Sequence, residues 1–312
     1  MTYAFDPELA DVVPLLPVGE FDDPIVAREG IMQMMAMLNI EIDISALEIE
    51  DKPIAGPEGA PDVCVRVYKP RERTGAAVPG LLYIHGGGFV VGNLETEHAG
   101  AVRIASELGV VVVSVDYRLA PENPYPAGID DCYAALQWLY GAADELGVDR
   151  DRIGVNGGSA GGGLAAGLAL LARDRGGPAL CFQLLGIPEL DDRLDTPSMR
   201  QFTDTPLWNR PSAIRSWEWY LGGNTTDVSP YAAPARATDL AGLPPAFIST
   251  MQYDPLRDEG IIYAMRLLEA GVPVELHQYP GTFHGSALVT TADVSKRQAA
   301  EMIDVLRRGL RV

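Results

Sequence analysis

The chain has 312 residues, with 24 basic against 43 acidic side chains and a formal charge of −19, so it lacks the basic surface that binding nucleic acid requires. Apolar residues at 47% and charged residues at 21% exclude wholesale disorder and leave material for a large core, either one α/β domain with insertions or two smaller ones. Cys64, Cys132 and Cys181 are odd in number and far apart, which excludes a disulfide framework and a thiolate metal site and fits a reducing compartment.

The first segment, residues 1–43, carries Asp6, Glu8 and Asp11 where an export signal would need a basic flank and an apolar run. A cytoplasmic, soluble protein is expected, because the apolar runs at 110–115 and 164–172 fall well short of the ~18 residues of a membrane span. Without export, the sequon at Asn224-Thr225-Thr226 is a chance match. The methionine-rich stretch 31–38 reads as a packed amphipathic helix that can also border a ligand pocket.

From residue 60 onward, short β-branched runs alternate with helical stretches, the pattern of a mostly parallel sheet covered on both faces. Residues 63–68 are expected as an antiparallel edge strand, and 81–85, 110–116 and 153–157 as buried strands. Strands at 181–187, 246–251 and 274–279 follow, with helices at 130–140, 160–173 and 259–270 among them. Residues 190–231, rich in Trp208, Trp217, Trp219 and Tyr220, break the alternation. Together with the N-terminal segment they are expected to form a cap. The expected organisation is therefore a cap part at 1–45, core at 46–189, a cap insertion at 190–231 and core again at 232–312.

Gly157-Gly158-Ser159-Ala160-Gly161 is a G-x-S-x-G sequence between a strand and an Ala-rich helix. A nucleophile on such a sharp turn needs small residues two positions either side, where strand and helix backbones approach closely. A glycine-rich turn with an incidental serine is the competing reading, and the flanking strand and helix weigh against it. A second signal, His85-Gly86-Gly87-Gly88-Phe89, follows an apolar strand. Consecutive glycines let amides converge on one point, so the N–H groups of Gly86, Gly87 and Ala160 are expected to form an oxyanion hole. A phosphate-cradling loop is disfavoured, since no Walker-type or dinucleotide glycine pattern is present. His85 is expected to hold the loop.

A serine hydroxyl needs a base, and the base needs an orienting acid. Of the four histidines, His284 alone lies in a loop just past the last strand, while His98 and His277 read as surface or packing residues. Two loops offer the acid: Glu189, Asp191 and Asp192 after one strand, and Asp254 after the next. Asp254 is preferred, because it gives the chain order Ser, Asp, His. Asp258 and Glu259 read as charges at the start of the following helix.

With these residues assembled, the chain from about residue 60 onward resembles the hormone-sensitive-lipase-like branch of the α/β-hydrolases. The resemblance is carried by the glycine loop at 85–89, by Asp116-Tyr117-Arg118-Leu119-Ala120-Pro121-Glu122, by 157–162, by Asp254-Pro255-Leu256-Arg257-Asp258-Glu259-Gly260 and by His284-Gly285. It implies an α/β-hydrolase fold: a mostly parallel eight-stranded sheet flanked by helices, with a helical cap. It also implies a serine carboxylesterase with Ser159, Asp254 and His284 as triad and no metal or cofactor; a cap close to the nucleophile would limit acyl length, so short acyl chains, acetyl to about butyryl or hexanoyl, are expected. The segment from Ile187 to Ser286 further resembles the bacterial heroin-esterase type, which cleaves acetyl esters of bulky alcohols. Gly158 departs from the many members with an acidic residue there, a position outside the triad. An amidase, lactonase or formamidase would use the same triad. A non-catalytic hormone receptor of this branch would lack the histidine that His284 supplies. The expected partner is a small ester, with no nucleic acid and no membrane insertion; a homo-oligomer is compatible with the sequence.

Overall fold

The computed structural model describes residues 3–16, 21–38, 42–72 and 75–312, with the side chains of 34–38 outside that set. The expected packing of Met34, Met35 and Met37, parts of the N-terminal cap segment and part of the turn at 73–80 lie outside the described residues.

Eight strands form one sheet: β1 (Leu47–Ile54), β2 (Val63–Pro70), β3 (Val78–Ile84), β4 (Val111–Asp116), β5 (Val148–Gly158), β6 (Phe182–Gly186), β7 (Ala246–Tyr253) and β8 (Val274–Phe283). Their order is β1-β2-β4-β3-β5-β6-β7-β8, with β1 and β2 antiparallel to their neighbours and the rest parallel. β1 was not among the expected strands. It is an edge strand in which only Leu47 and Ile54 are buried, so its apolar pattern is too sparse to stand out.

The principal helices are α1 (Pro24–Leu38), α2 (His98–Leu108), α3 (Ala127–Gly141), α4 (Ala160–Asp174), α5 (Arg210–Tyr220), α6 (Arg257–Glu269) and α7 (Asp293–Gly309). Alternation along β3 sorts the core onto two faces. Leu82 and Ile84 join Ile129 and Leu136 of α3 and Leu164 of α4, while Leu81 and Tyr83 join Ile104 of α2 and Ile303 and Leu306 of α7. Helix α4 is buried along its length from Ala160 to Ala172, as an Ala/Leu/Gly helix without a polar face must be.

The chain leaves β3 toward β4 on one side, and β5 takes the other side of β3. That reversal opens a crevice beyond the carboxyl ends of the strands, where ligands bind in open α/β sheets. Register brings the relevant residues to this rim. Ile84 pairs with Gly157, which sets the glycine loop beside Ser159, and Tyr253 pairs with Phe283, so Asp254 and His284 each emerge one residue beyond a paired position.

Candidate active site

Ser159 sits at the turn from β5 into α4 with φ 57° and ψ −123°, a sparsely populated conformation for a residue with a Cβ. The flanking glycines make the turn possible. A Cβ on Gly157 would lie 2.1 Å from the Gly161 carbonyl oxygen, and one on Gly161 would lie 2.3 Å from that of Ile84.

His284 Nε2 is 3.0 Å from Ser159 Oγ, and His284 Nδ1 is 2.8 Å from Asp254 Oδ2. Asp254 is fully buried, and its other oxygen accepts from the Leu256 N–H at 2.8 Å. A carboxylate offers only lone pairs, so Nδ1 carries the ring proton and Nε2 accepts from the serine hydroxyl. The structure therefore brings together the three residues proposed from the sequence as nucleophile, base and orienting acid. Glu189, Asp191 and Asp192, the rival acids, are engaged elsewhere: Asp191 and Asp192 bind Arg193 and Arg236, and neither Glu189 oxygen has a hydrogen-bond partner among the described residues.

The glycine loop bears on the expected oxyanion donors, Gly86, Gly87 and Ala160. The Gly86 N–H faces the carboxyl of Glu97; desolvation pushes that carboxyl up, opposed by the Tyr83 hydroxyl at 2.8 Å and by this amide. The Gly86 N–H is therefore contested by a neighbouring carboxyl. Gly87, at φ +116°, folds its carbonyl back to accept from the N–H groups of Val90 and Val91. Among the described residues the N–H groups of Gly87, Gly88 and Ala160 donate to no protein acceptor. Ala160 opens α4, where the first amides have no partner within the helix. Gly88 was not among the donors expected from the sequence, since three adjacent glycines do not show which amides a neighbouring carboxyl will meet.

His85 holds the loop, as expected. It is buried, stacked on Tyr117 at 4.1 Å, and its Nδ1–H donates to the Gly86 carbonyl at 2.8 Å; burial lowers its pKa to about 4, so the ring is neutral. The 116–122 turn is structural at its centre, where Arg118 forms a bidentate pair with buried Asp131. His98 lies 3.0 Å from the Tyr68 hydroxyl and His277 beside Glu275 and Glu301, both remote from the triad in role. Asp258 and Glu259 do lie in the first turn of α6, but their carboxylates accept from Ser198 N–H and from Leu190 and Asp191 N–H, binding the 190–201 segment instead of capping their own helix.

Over the site lies an aromatic wall. The Trp208 ring is 5.7 Å from the His284 ring and 5.1 Å from Phe21, and a Cβ on Gly88 would collide with both Trp208 and Phe21 at 2.7–2.8 Å. Leu207 packs against Gly285. Among the described residues no group of three or more His, Cys, Asp or Glu side chains is placed to hold a metal ion, and no helix is long and apolar enough to cross a membrane.

The glycines around the nucleophile predict opposite mutational outcomes. Gly87→Ala forces a Cβ to within 2.2 Å of the Val91 carbonyl oxygen at positive φ, so the loop must shift; kcat on p-nitrophenyl acetate is expected to fall by ~10²–10³, the usual effect of losing one oxyanion donor. Gly158 has open space, with nothing closer than 4.0 Å, and no positive φ. Gly158→Ala is expected to keep kcat and to leave stability unchanged or raised by about 0.4–1 kcal/mol in thermal unfolding.

Residues 81–288 match a family described as having the alpha/beta hydrolase fold. A solved structure titled bacterial heroin esterase is 53% identical, with a TM-score of 0.96 and coverage of 99% of both chains. The carboxylesterase NlhH of Mycobacterium tuberculosis is 43% identical over 291 residues, 90% of this chain and 88% of that protein. An ethyl acetate hydrolase of Pseudomonas putida is 31% identical over 299 residues, 90% of this chain and 91% of that protein.

Proposed function

This chain belongs to the α/β-hydrolase family, in its hormone-sensitive-lipase-like branch, and on that premise we propose that it hydrolyses carboxylic esters with Ser159 as nucleophile, His284 as general base and acid, and Asp254 as the orienting acid. The observation that carries the reading is the unbroken line from Asp254 through His284 to Ser159, at 2.8 and 3.0 Å, beside backbone amides without protein acceptors.

In this reading Ser159 Oγ attacks the ester carbonyl carbon while its proton passes to His284 Nε2. The carbonyl oxygen, now anionic, accepts from Ala160, Gly87 and Gly88; Gly88 replaces Gly86 in the donor set first expected. Collapse breaks the C–O bond to the alcohol, which takes the proton from His284. Water then enters, gives its proton to His284, and attacks the acyl-serine carbonyl; the second tetrahedral intermediate expels Ser159, which takes the proton back, and the acid leaves.

The acyl group is proposed to be short, from acetyl to about butyryl or hexanoyl. Leu207 and Trp208 lie directly against the His284 loop, which limits depth next to the nucleophile. A relative named for ethyl acetate is in keeping with this. The cap is proposed to comprise residues 1–45 and 190–231 over a core of 46–189 and 232–312, supported by contacts between its two parts: Arg215 with Asp22 at 3.0 Å, and Phe21 with Trp208 and Trp219. The three thiols are unpaired, in keeping with a cytoplasmic setting. Triad and amides all come from one copy, so the reading requires no second chain.

The test is a series of p-nitrophenyl esters from acetate to palmitate, with p-nitroacetanilide in parallel. The highest kcat/KM is expected at acetate to hexanoate, with the anilide turned over far more slowly. A maximum at palmitate would remove the short-acyl assignment, and faster turnover of the anilide would favour an amidase. A lactonase or formamidase predicts faster turnover of a lactone or N-formyl compound than of p-nitrophenyl acetate.

A further inference from the structure

The glycine loop is tied down at each carbonyl from Gly86 to Phe89, and one of the ties comes from the cap. The Gly86 carbonyl accepts from His85 Nδ1–H at 2.8 Å, that of Gly87 from the N–H groups of Val90 and Val91 at 3.0 and 2.9 Å, and that of Phe89 from the Ala120 N–H at 3.0 Å. All of these donors belong to the core. The Gly88 carbonyl instead accepts from the hydroxyl of Ser216, 128 positions further along the chain, at 2.9 Å. Ser216 lies on α5, in the proposed cap, and is fully buried. A carbonyl offers only lone pairs, so Ser216 is the donor. A serine inside a helix ordinarily turns its hydroxyl back to a carbonyl of the preceding turn, and here the proton crosses to another element.

This tie falls where the loop most needs holding. Gly88 at φ +56° and Phe89 at φ +61° are successive left-handed residues, the first with no Cβ to restrict its torsions and the second with a bulky side chain that disfavours them. Such a conformation persists only where its surroundings over-determine it. Helix α5 supplies those surroundings: besides the Ser216 bond, the Tyr220 ring stacks on Phe89 at 3.9 Å and 10°, and the Trp217 ring lies 5.4 Å from it.

We propose that Ser216 is a positioning residue for the oxyanion hole: its hydroxyl holds the Gly88 carbonyl against α5, so that the cap, besides covering the site, sets the backbone that aims the Gly87 and Gly88 amides. The proposal rests on the reading of Ser159 and the glycine loop given above. The mechanical link runs through the turn. Val90 and Val91 reach the Gly87 carbonyl only while Gly88 and Phe89, which lie between, stay left-handed. Release of the Gly88 carbonyl loosens those two residues, draws the valine amides off Gly87, and frees the peptide that joins Gly87 to Gly88 and carries the Gly88 N–H.

The experiment measures kcat and KM for p-nitrophenyl acetate, and Ki for methyl trifluoromethyl ketone, in the full chain and in Ser216→Ala and Ser216→Cys. Addition of Ser159 Oγ to this ketone, with the serine proton passing to His284, leaves an anionic oxygen on the former carbonyl carbon, so Ki reads the oxyanion donors directly. Ser216→Ala is expected to lower kcat by about 10-fold to 10²-fold, the scale of a misplaced group and short of the ~10²–10³ of a lost donor, with KM changed by less than about threefold. Its Ki should rise by the same factor by which kcat/KM falls. Ser216→Cys keeps the shape and a weaker donor, and should fall between the two. A serine that serves only the packing of α5 predicts a lower melting temperature with kcat and Ki unmoved, or a raised KM at constant kcat. Either result would overturn the proposal, as would a fall in kcat with Ki unchanged. Should Ser216→Ala fail to fold, the same comparison in Ser216→Cys decides. Ser159→Ala run alongside separates the two levels: if it stays active the site reading fails, and if it is inactive while Ser216→Ala keeps native kcat and Ki, only the positioning role fails.

Discussion

Ser159→Ala is expected to lower kcat/KM for p-nitrophenyl acetate by on the order of 10⁶ while leaving the fold intact. The size comes from the loss of the covalent route: without the hydroxyl, His284 Nε2, now 3.0 Å from nothing it can deprotonate, has no nucleophile to activate. What remains is binding and the amides of the glycine loop, which in comparable sites sustain a residual ~10³–10⁴ over water. The fold should survive because the strain at this position belongs to the backbone at φ 57° and to the Cβ, both of which alanine keeps. Thermal unfolding should therefore be almost superimposable between the two proteins. Equal turnover by both would remove Ser159 as nucleophile.

The proposed triad was legible because each of its three residues follows a strand that announces itself by composition. The β-branched run before Gly157, the apolar run before Gln252 and the last strand before Gly281 placed Ser159, Asp254 and His284 at strand ends, and parallel register did the rest. Elimination among only four histidines then left one base. What was hidden depends on partners distant in the chain. The Glu97 carboxyl comes to the Gly86 amide from eleven residues further on, and the carboxylates of Asp258 and Glu259, adjacent to their own helix start, are taken by amides some 60 residues earlier. Helix α7 has an amphipathic pattern but no motif, and β1 is too polar to be marked as a strand. The contact between Phe21 and Trp208 joins residues that no periodicity relates. Local pattern thus reveals which residues reach the rim, and tertiary hydrogen bonding decides what each of their polar groups does there.

Asp254→Asn is expected to lower kcat by about 10⁴ with KM little changed, a larger loss than its near-identical shape suggests. In the native chain both oxygens accept: Oδ1 from the Leu256 N–H and Oδ2 from His284 Nδ1–H, each at 2.8 Å. Asparagine has one acceptor and one donor end. Since the Leu256 amide is a fixed backbone donor in a buried loop, the asparagine oxygen must turn toward it, which leaves the NH₂ group facing Nδ1. Nδ1 then has to accept, so the ring proton moves to Nε2, and that nitrogen can no longer take the proton of Ser159. The imidazolium formed during attack also loses its adjacent negative charge. Two measurements separate this tautomer effect from a broken fold. Thermal unfolding should change modestly, because both hydrogen bonds of residue 254 persist with reversed polarity at one of them. Labelling of Ser159 by a p-nitrophenyl phosphonate, followed by intact mass, should slow in step with kcat. A variant that kept native kcat would show that Asp254 has no part in setting the ring's proton, and the line from acid to base to nucleophile would then be a structural coincidence.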